Sequence, residues 1–225
     1  RDRREDHLRQ DPGTPTTVPR TFAVQGTVVR LTALHYPEPM PRTLNDLSWP
    51  RRTERLTVCR LTPEDADTLW ALKSNQELNR WTTRLYASRQ EFRADWDALA
   101  TTHLMAHCYG RLAAYLMVKL QDAWSQADVT EQARGQQVEL GWVVAPWAQG
   151  RGVATELVRE GLAIAFDMGV HRVEAGCFAE NTGSWKVMEK VGMRREIHTV
   201  RDCMHRDGQW HDGYGYAMLA EEHHG

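Results

Sequence analysis

The chain has 225 residues, 41% hydrophobic and 26% charged, with a formal net charge of −2. These are ordinary globular values, with enough length to bury a core without disulfide staples. So small a net charge excludes a strong nucleic-acid or membrane-surface field, and no apolar run of about 18 residues is present to span a membrane.

Residues 1–20 are charged and then rich in Pro and Thr, a composition that predicts disorder. Arg1, Arg3, Arg4 and Arg9 are offset by Asp2, Glu5, Asp6 and Asp11, which argues against a nucleic-acid-binding arm. The chain opens on Arg1 rather than Met, and is read as a fragment or as carrying first residues outside the folded unit. No apolar segment follows those arginines, so no signal peptide is expected. Residues 22–34 are apolar enough for one strand. Four prolines between Pro37 and Pro50 then interrupt regular structure. Composition therefore assigns 1–48 to an N-terminal arm, 49–221 to the main domain and 222–225 to a tail.

From Leu56 the pattern becomes regular. Leu56, Val58 and Arg60 alternate with Thr57, Cys59 and Leu61, a strand period. Thr62-Pro63-Glu64-Asp65 is a helix start, followed by Ala66, Leu69, Trp70 and Lys73 at helical spacing. Ser88 and Glu91 form a second capping box, with Phe92, Trp96 and Leu99 as the apolar stripe behind it. Two strands are expected within 104–120, around Gly110-Arg111, and an extended polar loop over 121–136. Val138 to Ala145 reads as a strongly apolar strand stopped by Pro146. Val153 to Met168 is the clearest helix. Ala154, Leu157, Val158, Gly161, Ala165 and Met168 lie on one face, Thr155, Glu156, Arg159, Glu160 and Asp167 on the other, and Gly169 ends it. A strand over 171–178, a helix over 182–191 and a hairpin turning at Asp207-Gly208 follow. Interleaved strands and helices with a terminal antiparallel hairpin predict an α/β or α+β sheet domain.

The chemistry concentrates where the 138–145 strand gives way to the 153–168 helix. Gly150 and Gly152 let backbone N–H groups approach a ligand closely. The first helical turn adds unpaired N–H donors and partial positive charge. Together they suit a pyrophosphate, with Arg151 and the Thr155 hydroxyl in support. Two glycines before a helix are also common as plain structure. The spacing fits neither G-x-x-x-x-G-K-[ST] nor G-x-G-x-x-G.

These residues resemble a known family. Gln149-x-x-Gly152-x-Ala154 is similar to the acetyl-CoA signature of the GNAT superfamily of N-acetyltransferases. Asn181-x-x-Ser184 with Glu189-Lys190-Val191-Gly192-Met193 resembles a block of its ribosomal-protein (Rim-type) branch, in which Phe is usual at the position of Met193. Gly208-x-Trp210-x-Asp212 and Tyr216 also fit that branch. The resemblance covers about residues 48–221. It implies a mixed, mainly antiparallel sheet flanked by helices, with two strands splayed around the cofactor. It further implies acetyl-CoA as co-substrate, held at the pantetheine by the main chain of Val143 and Val144. Gln149, Gly150, Arg151, Gly152, Val153, Ala154 and Thr155 would hold the pyrophosphate, and Asn181 would touch the cofactor.

Acetyl transfer to an amine needs a base, an oxyanion donor and an acid for the leaving thiolate. A backbone N–H of the Val143–Val144 segment is the natural oxyanion donor. Glu139 is the candidate base: with Gly141 and Val143 it points to one face of its strand. Gly141 leaves space beside it for an amine, and an apolar strand would desolvate the carboxylate and raise its pKa. The alternative is a Glu139 that faces solvent or pairs with an arginine. Ser184 is the candidate acid, directly or through water; the alternative is helix capping.

Other features are discounted. His103 and His107 with Cys108, and Cys203 with His205, have no third ligand at motif spacing, so no metal is expected. Cys59, Cys108, Cys177 and Cys203 form no C-x-x-C pair and read as free thiols of a reducing cytoplasm. Cys177 lies on the strand after the signature, but no His or Lys is placed by motif to activate an acetyl-cysteine route. Trp70 and Trp96 read as core; Trp142, Trp147 and Trp185 as core or cleft lining.

The expected function is direct attack by an amine on acetyl-CoA in a ternary complex. The acceptor is a protein N-terminus, a polyamine or an antibiotic amine, set by loops such as 75–90 and 121–136. A non-catalytic acyl-CoA-binding regulatory module is the alternative, and a homodimer is compatible with the resemblance.

Overall fold

The structure, a computed structural model, describes residues 41–223 and the backbone of two short strands, β1 (Ala23–Val24) and β2 (Thr27–Val28). The chain divides into two units, 1–37 and 38–225. In the first, β1 and β2 pair antiparallel, Ala23 opposite Val28. The single strand expected over 22–34 is two within the described residues; the disorder expected over 1–20 lies outside them.

The second unit is built on eight strands: β3 (Arg51–Arg52), β4 (Leu56–Arg60), β5 (His103–Cys108), β6 (Arg111–Gln121), β7 (Gln137–Val144), β8 (Arg172–Phe178), β9 (Arg194–Met204) and β10 (Trp210–Leu219). They form one sheet in the order β3-β4-β5-β6-β7-β8-β10-β9. Every neighbour pair is antiparallel except β7 with β8. This is the mixed, mainly antiparallel sheet that the resemblance implies.

Helices cover both faces. On one lie α1 (Ala66–Lys73), α2 (Arg89–Ala94) and α3 (Trp96–Thr102). Leu69, Phe92 and Leu99 pack there with Met105, Tyr115 and Val143. The expected 88–102 stripe is present, but the helix breaks at Asp95, which leaves helical geometry at φ −90°, ψ 1°. The short α4 (Thr130–Ala133) follows, and then α5 (Val153–Asp167) and α6 (Thr182–Lys190) cover the opposite face. Leu157, Val158, Leu162 and Ala165 of α5 and Met188 of α6 form the larger core with Leu116, Leu140 and Val173. The 153–168 stripe thus buries the side that its spacing predicts.

Three expectations are corrected. Residues 121–136 are not wholly extended: a 3-10 turn (Ala127–Val129) leads into α4. Residues 41–48, grouped with the arm on composition, pack into the domain. Leu44 is buried, Arg42 N–H donates to the Met168 carbonyl at 2.7 Å, and Trp49 Nε1 donates to the Leu44 carbonyl at 2.8 Å. A 3-10 turn (Leu44–Asp46), capped by Thr43, forms between the prolines, which therefore prevent neither local structure nor burial there. Glu222, placed in the tail, accepts from Leu219 N–H at 2.8 Å. Among the described residues no helix is long and apolar enough to cross a membrane.

Candidate functional site

The site begins where the sheet opens. β7 and β8 pair only through Gln137–Glu139 and Arg172–Glu174. Beyond Glu139, β7 continues along β6 as far as Val144, opposite Ala114. β8 instead continues along β10, with Phe178 opposite Gly213. Each strand follows its antiparallel partner, so the parallel pair separates into a cleft.

Ladder phase decides which main-chain groups face this cleft. Ala145 N–H donates to the Ala113 carbonyl at 2.7 Å. Alternation along an antiparallel pair then commits Val143 to β6, opposite Tyr115, and turns the N–H and C=O of Trp142 and Val144 toward the gap. Val143, named with Val144 for a main-chain role, has its polar groups in the ladder and its side chain in the smaller core. The cleft-facing pair is Trp142 and Val144. The Val144 carbonyl accepts from Gln149 Nε2 at 3.0 Å, which ties the side chain of Gln149 to the end of β7.

After a 3-10 turn (Pro146–Ala148), the chain enters the glycine loop. Gly150 has φ +71° and Gly152, the N-cap of α5, φ +81°. Both are left-handed backbones natural to glycine. The first bond of the helix runs from Glu156 N–H to the Gly152 carbonyl at 3.1 Å. The N–H groups before it, from Gly152 to Thr155, have no intrahelical acceptor. Val153 is buried and anchors the turn, Ala154 and Thr155 are half-buried, and Gly150 and Arg151 are exposed.

A bracket from the edge of the sheet fixes this turn. Glu156 accepts from Arg55 N–H (2.8 Å), Arg55 Nε (2.7 Å) and Thr53 Oγ1. Burial would raise the Glu156 pKa, but these bonds outweigh it and hold the carboxyl below its usual value. Arg55 Nη1 also donates to the Arg151 carbonyl at 2.7 Å. Arg55 and Thr53 carried no signal of this role in the sequence.

Across the cleft, β8 ends at Phe178 and α6 starts after Asn181, its N-cap. Asn181 N–H donates to the Phe178 carbonyl and Ser184 N–H to the Asn181 carbonyl, both at 3.0 Å. Ser184 is half-buried in the first turn, and the capping position belongs to Asn181. Trp185 Nε1 donates to the Ala179 carbonyl at 3.1 Å and so joins α6 to the end of β8. Burial pushes the Cys177 thiol up to about 11, which keeps it protonated and a poor nucleophile near neutrality.

Glu139 is the last residue of β7 with a partner in β8, so its carboxylate stands where the strands part. Its surroundings are not the apolar ones expected. Gln121 Nε2 donates to Glu139 Oε2 at 2.7 Å, and Lys119 Nζ lies 3.5 Å from the same oxygen. The partner is thus a lysine of β6, not an arginine. The space at Gly141 is bounded by Met117, whose methyl would lie 3.3 Å from an added Cβ.

On the same face of the sheet is a buried polar cluster. Lys73 Nζ lies 3.1 Å from His103 Nε2 and 4.3 Å from the Tyr115 ring centroid. Tyr115 OH donates to Asn79 Oδ1 at 3.2 Å. Burial pulls Lys73 down to about 8, and burial with the lysine charge beside it pushes His103 down to about 3. Lys73 is legible in the sequence only as a helix-stripe residue. His103 and His107 lie on a strand, about 13 Å apart along it, so they share no metal ion.

Residues 55–194 match the family described as acetyltransferase (GNAT) domain. Over 85 residues the chain is 42% identical to the uncharacterized N-acetyltransferase YnaD of Bacillus subtilis (strain 168). That match covers 37% of this chain and 49% of the relative, so the chain spans about half the length of the curated protein it matches. The acetyltransferase (GNAT family) from Bacillus anthracis has a similar structure, with TM-score 0.63 and 26% identity over 76% of this chain and 98% of that one. Mycobacterium smegmatis RimJ in complex with CoA-disulfide superposes with TM-score 0.60 and 21% identity, over 74% and 83% of the two chains.

Proposed function

The chain belongs to the acetyltransferase (GNAT) domain family, and from that premise we propose that it transfers an acetyl group from acetyl-CoA to a primary amine by direct attack in a ternary complex. The observation that carries this reading is the opening of β7 from β8 after Glu139, beside a glycine-led helix N-terminus. Trp142 and Val144 offer the pantetheine arm main-chain partners. The N–H groups from Gly150 to Thr155, with Arg151, suit its pyrophosphate. Gln149 acts on the loop through the Val144 carbonyl. Asn181 borders the other wall. The occurrence of CoA in the similar RimJ structure supports the same ligand.

In the reaction, the amine nitrogen bonds to the thioester carbonyl carbon and the C–S bond breaks. Free amines are largely protonated near pH 7, so a proton must leave. Glu139, at the point of divergence and half-exposed to water, is the base. The Val144 N–H, turned into the cleft, stabilises the oxyanion. Ser184, across the cleft, returns a proton to the thiolate directly or through water. The high thiol pKa of Cys177 favours direct attack over an acetyl-cysteine intermediate.

The test is thiol release from acetyl-CoA against peptides and small amines, paired with calorimetry of acetyl-CoA binding. Turnover with at least one amine is expected. Binding without turnover across the panel would support a regulatory acyl-CoA module instead, and loss of both would overturn the reading. Glu139→Gln is expected to lower kcat by about 10²–10⁴-fold with the KM for acetyl-CoA unchanged. Full activity in that variant would remove Glu139 as base. For Ser184→Ala, a changed solvent isotope effect and pH profile are expected; an unchanged chemical step would leave the serine structural.

A further inference from the structure

The tip of the β9–β10 hairpin carries a second constellation, independent of acetyl transfer. His205, Asp207 and His211 each offer a ligand atom within 4.8 Å of the others. The hairpin produces this convergence. His205 N–H donates to the Gln209 carbonyl and Gly208 N–H to the His205 carbonyl, both at 3.0 Å, closing a turn that brings position 211 back beside 205. Gln209 N–H holds Asp207 Oδ1 at 2.8 Å and leaves Oδ2 for the imidazoles.

We propose that His205, Asp207 and His211 form a binding site for a divalent transition-metal ion, with Zn²⁺ as the fitting species. Three observations carry it. First, the spacing fits. Asp207 Oδ2 lies 3.0 Å from His205 Nδ1 and 3.3 Å from His211 Nε2. Ligands about 2.0–2.2 Å from a tetrahedral zinc stand roughly 3.3 Å apart. Second, the outer partners orient both rings. His205 Nε2 lies 3.1 Å from the Arg80 carbonyl, and His211 Nδ1 lies 2.9 Å from Glu180 Oε1. Both partners accept, so those nitrogens donate to them, and the opposite nitrogen of each ring faces Asp207. Metal-ligating histidines are held in this way by carbonyls and carboxylates. Third, His205 is buried, 6% exposed, with Trp81 and Phe178 at ring distances of 5.1 and 5.3 Å. The buried ring turns Nδ1 toward Asp207, 3.0 Å from its carboxylate oxygen and 3.3 Å from its N–H. Two imidazoles and one carboxylate are a donor set suited to zinc, and the exposed side of Asp207 leaves the fourth position to water.

The site is tested on the full chain after chelator treatment and dialysis, using Zn²⁺ in competition calorimetry and Co²⁺ as a visible probe. One equivalent of Zn²⁺ is expected to bind in the micromolar range or tighter, and Co²⁺ to give the strong d–d bands of four-coordinate cobalt. His211→Gln and Asp207→Asn, at partly exposed positions, should fold normally by circular dichroism yet lose both signals. Glu180→Gln, which leaves all three ligands, should weaken Zn²⁺ about 10- to 100-fold. Zn²⁺ should raise the melting temperature of the parent chain and not of the two ligand variants. The proposal is overturned if no saturable binding occurs. It is equally overturned if stoichiometry and affinity survive in both ligand variants, because the ion then sits on other residues such as the cysteines.

Discussion

Gly152→Ala, measured beside Gly150→Ala, probes the glycine loop most directly. Alanine at either position must adopt a left-handed backbone, φ +81° or φ +71°, at about 1–2 kcal/mol. Here the two sites part. Nothing lies within 4 Å of a Cβ on Gly150, whereas a Cβ on Gly152 lies 3.2 Å from Arg55 Nη2. That nitrogen is the one paired with Glu156 Oε2 at 2.7 Å. Moving it strains a charged hydrogen bond of about 1.5–3 kcal/mol. Urea unfolding should therefore show Gly150→Ala less stable by about 1–2 kcal/mol and Gly152→Ala by about 2–4 kcal/mol. The KM for acetyl-CoA, from thiol release, should rise about tenfold or more in Gly152→Ala, since tenfold corresponds to only about 1.4 kcal/mol. Equal destabilisation of the two variants would show that the Arg55 bracket yields freely. A stability loss with unchanged KM would refute the loop as the phosphate site.

Three further outcomes follow from the same structure. Glu156→Gln keeps the shape but loses the charge that receives Arg55 and Thr53, and should cost about 1.5–3 kcal/mol by urea unfolding; an unchanged midpoint would mean that the bracket contributes nothing. His103 sits at about 3 in the folded chain against 6.5 unperturbed, so between those values the unfolded chain binds a proton that the folded chain refuses. Stability then falls as pH drops below 6.5, by about 2 kcal/mol at pH 5; His103→Gln should flatten this slope, and a persistent slope would assign it to other groups. Lys73, at about 8 against 10.5, gives the companion effect: stability rises by about 3 kcal/mol between pH 8 and 10.5. Lys73→Met should remove that rise, and its survival in the variant would exclude the lysine as its source.

How much of this was legible in the sequence depends on how far apart the cooperating residues lie. The Gln149–Thr155 loop and α5 are contiguous, so glycine spacing and helical period report them before any tertiary structure is known. The strand ahead of them reads as clearly, because Val138, Leu140 and Val144 bury one face. The cleft is legible only through the family resemblance and not from local pattern, since it forms where β8 follows β10 away from β7. Which residue turns its N–H to the gap, Trp142 and not Val143, is a ladder phase fixed by Ala145 on Ala113. The bracket is further still from view: Arg55 and Glu156 are 101 residues apart, and no local pattern marks either.

The buried polar groups away from the glycine loop show the same limit more strongly. Lys73 meets His103 across 30 residues, and His205 meets the Arg80 carbonyl across 125. On a helix or strand pattern each is a single polar residue with no partner. Only the packed sheet turns Lys73 into a cation with a lowered pKa and His205 into an oriented imidazole. The asymmetry has a physical origin. A phosphate is recognised by backbone geometry, which a few neighbouring residues encode through glycine and helix phase. A buried polar cluster is instead assembled from side chains converging from separate elements. The proposed phosphate site is therefore written along the chain, whereas clusters such as Lys73 with His103 are written across it.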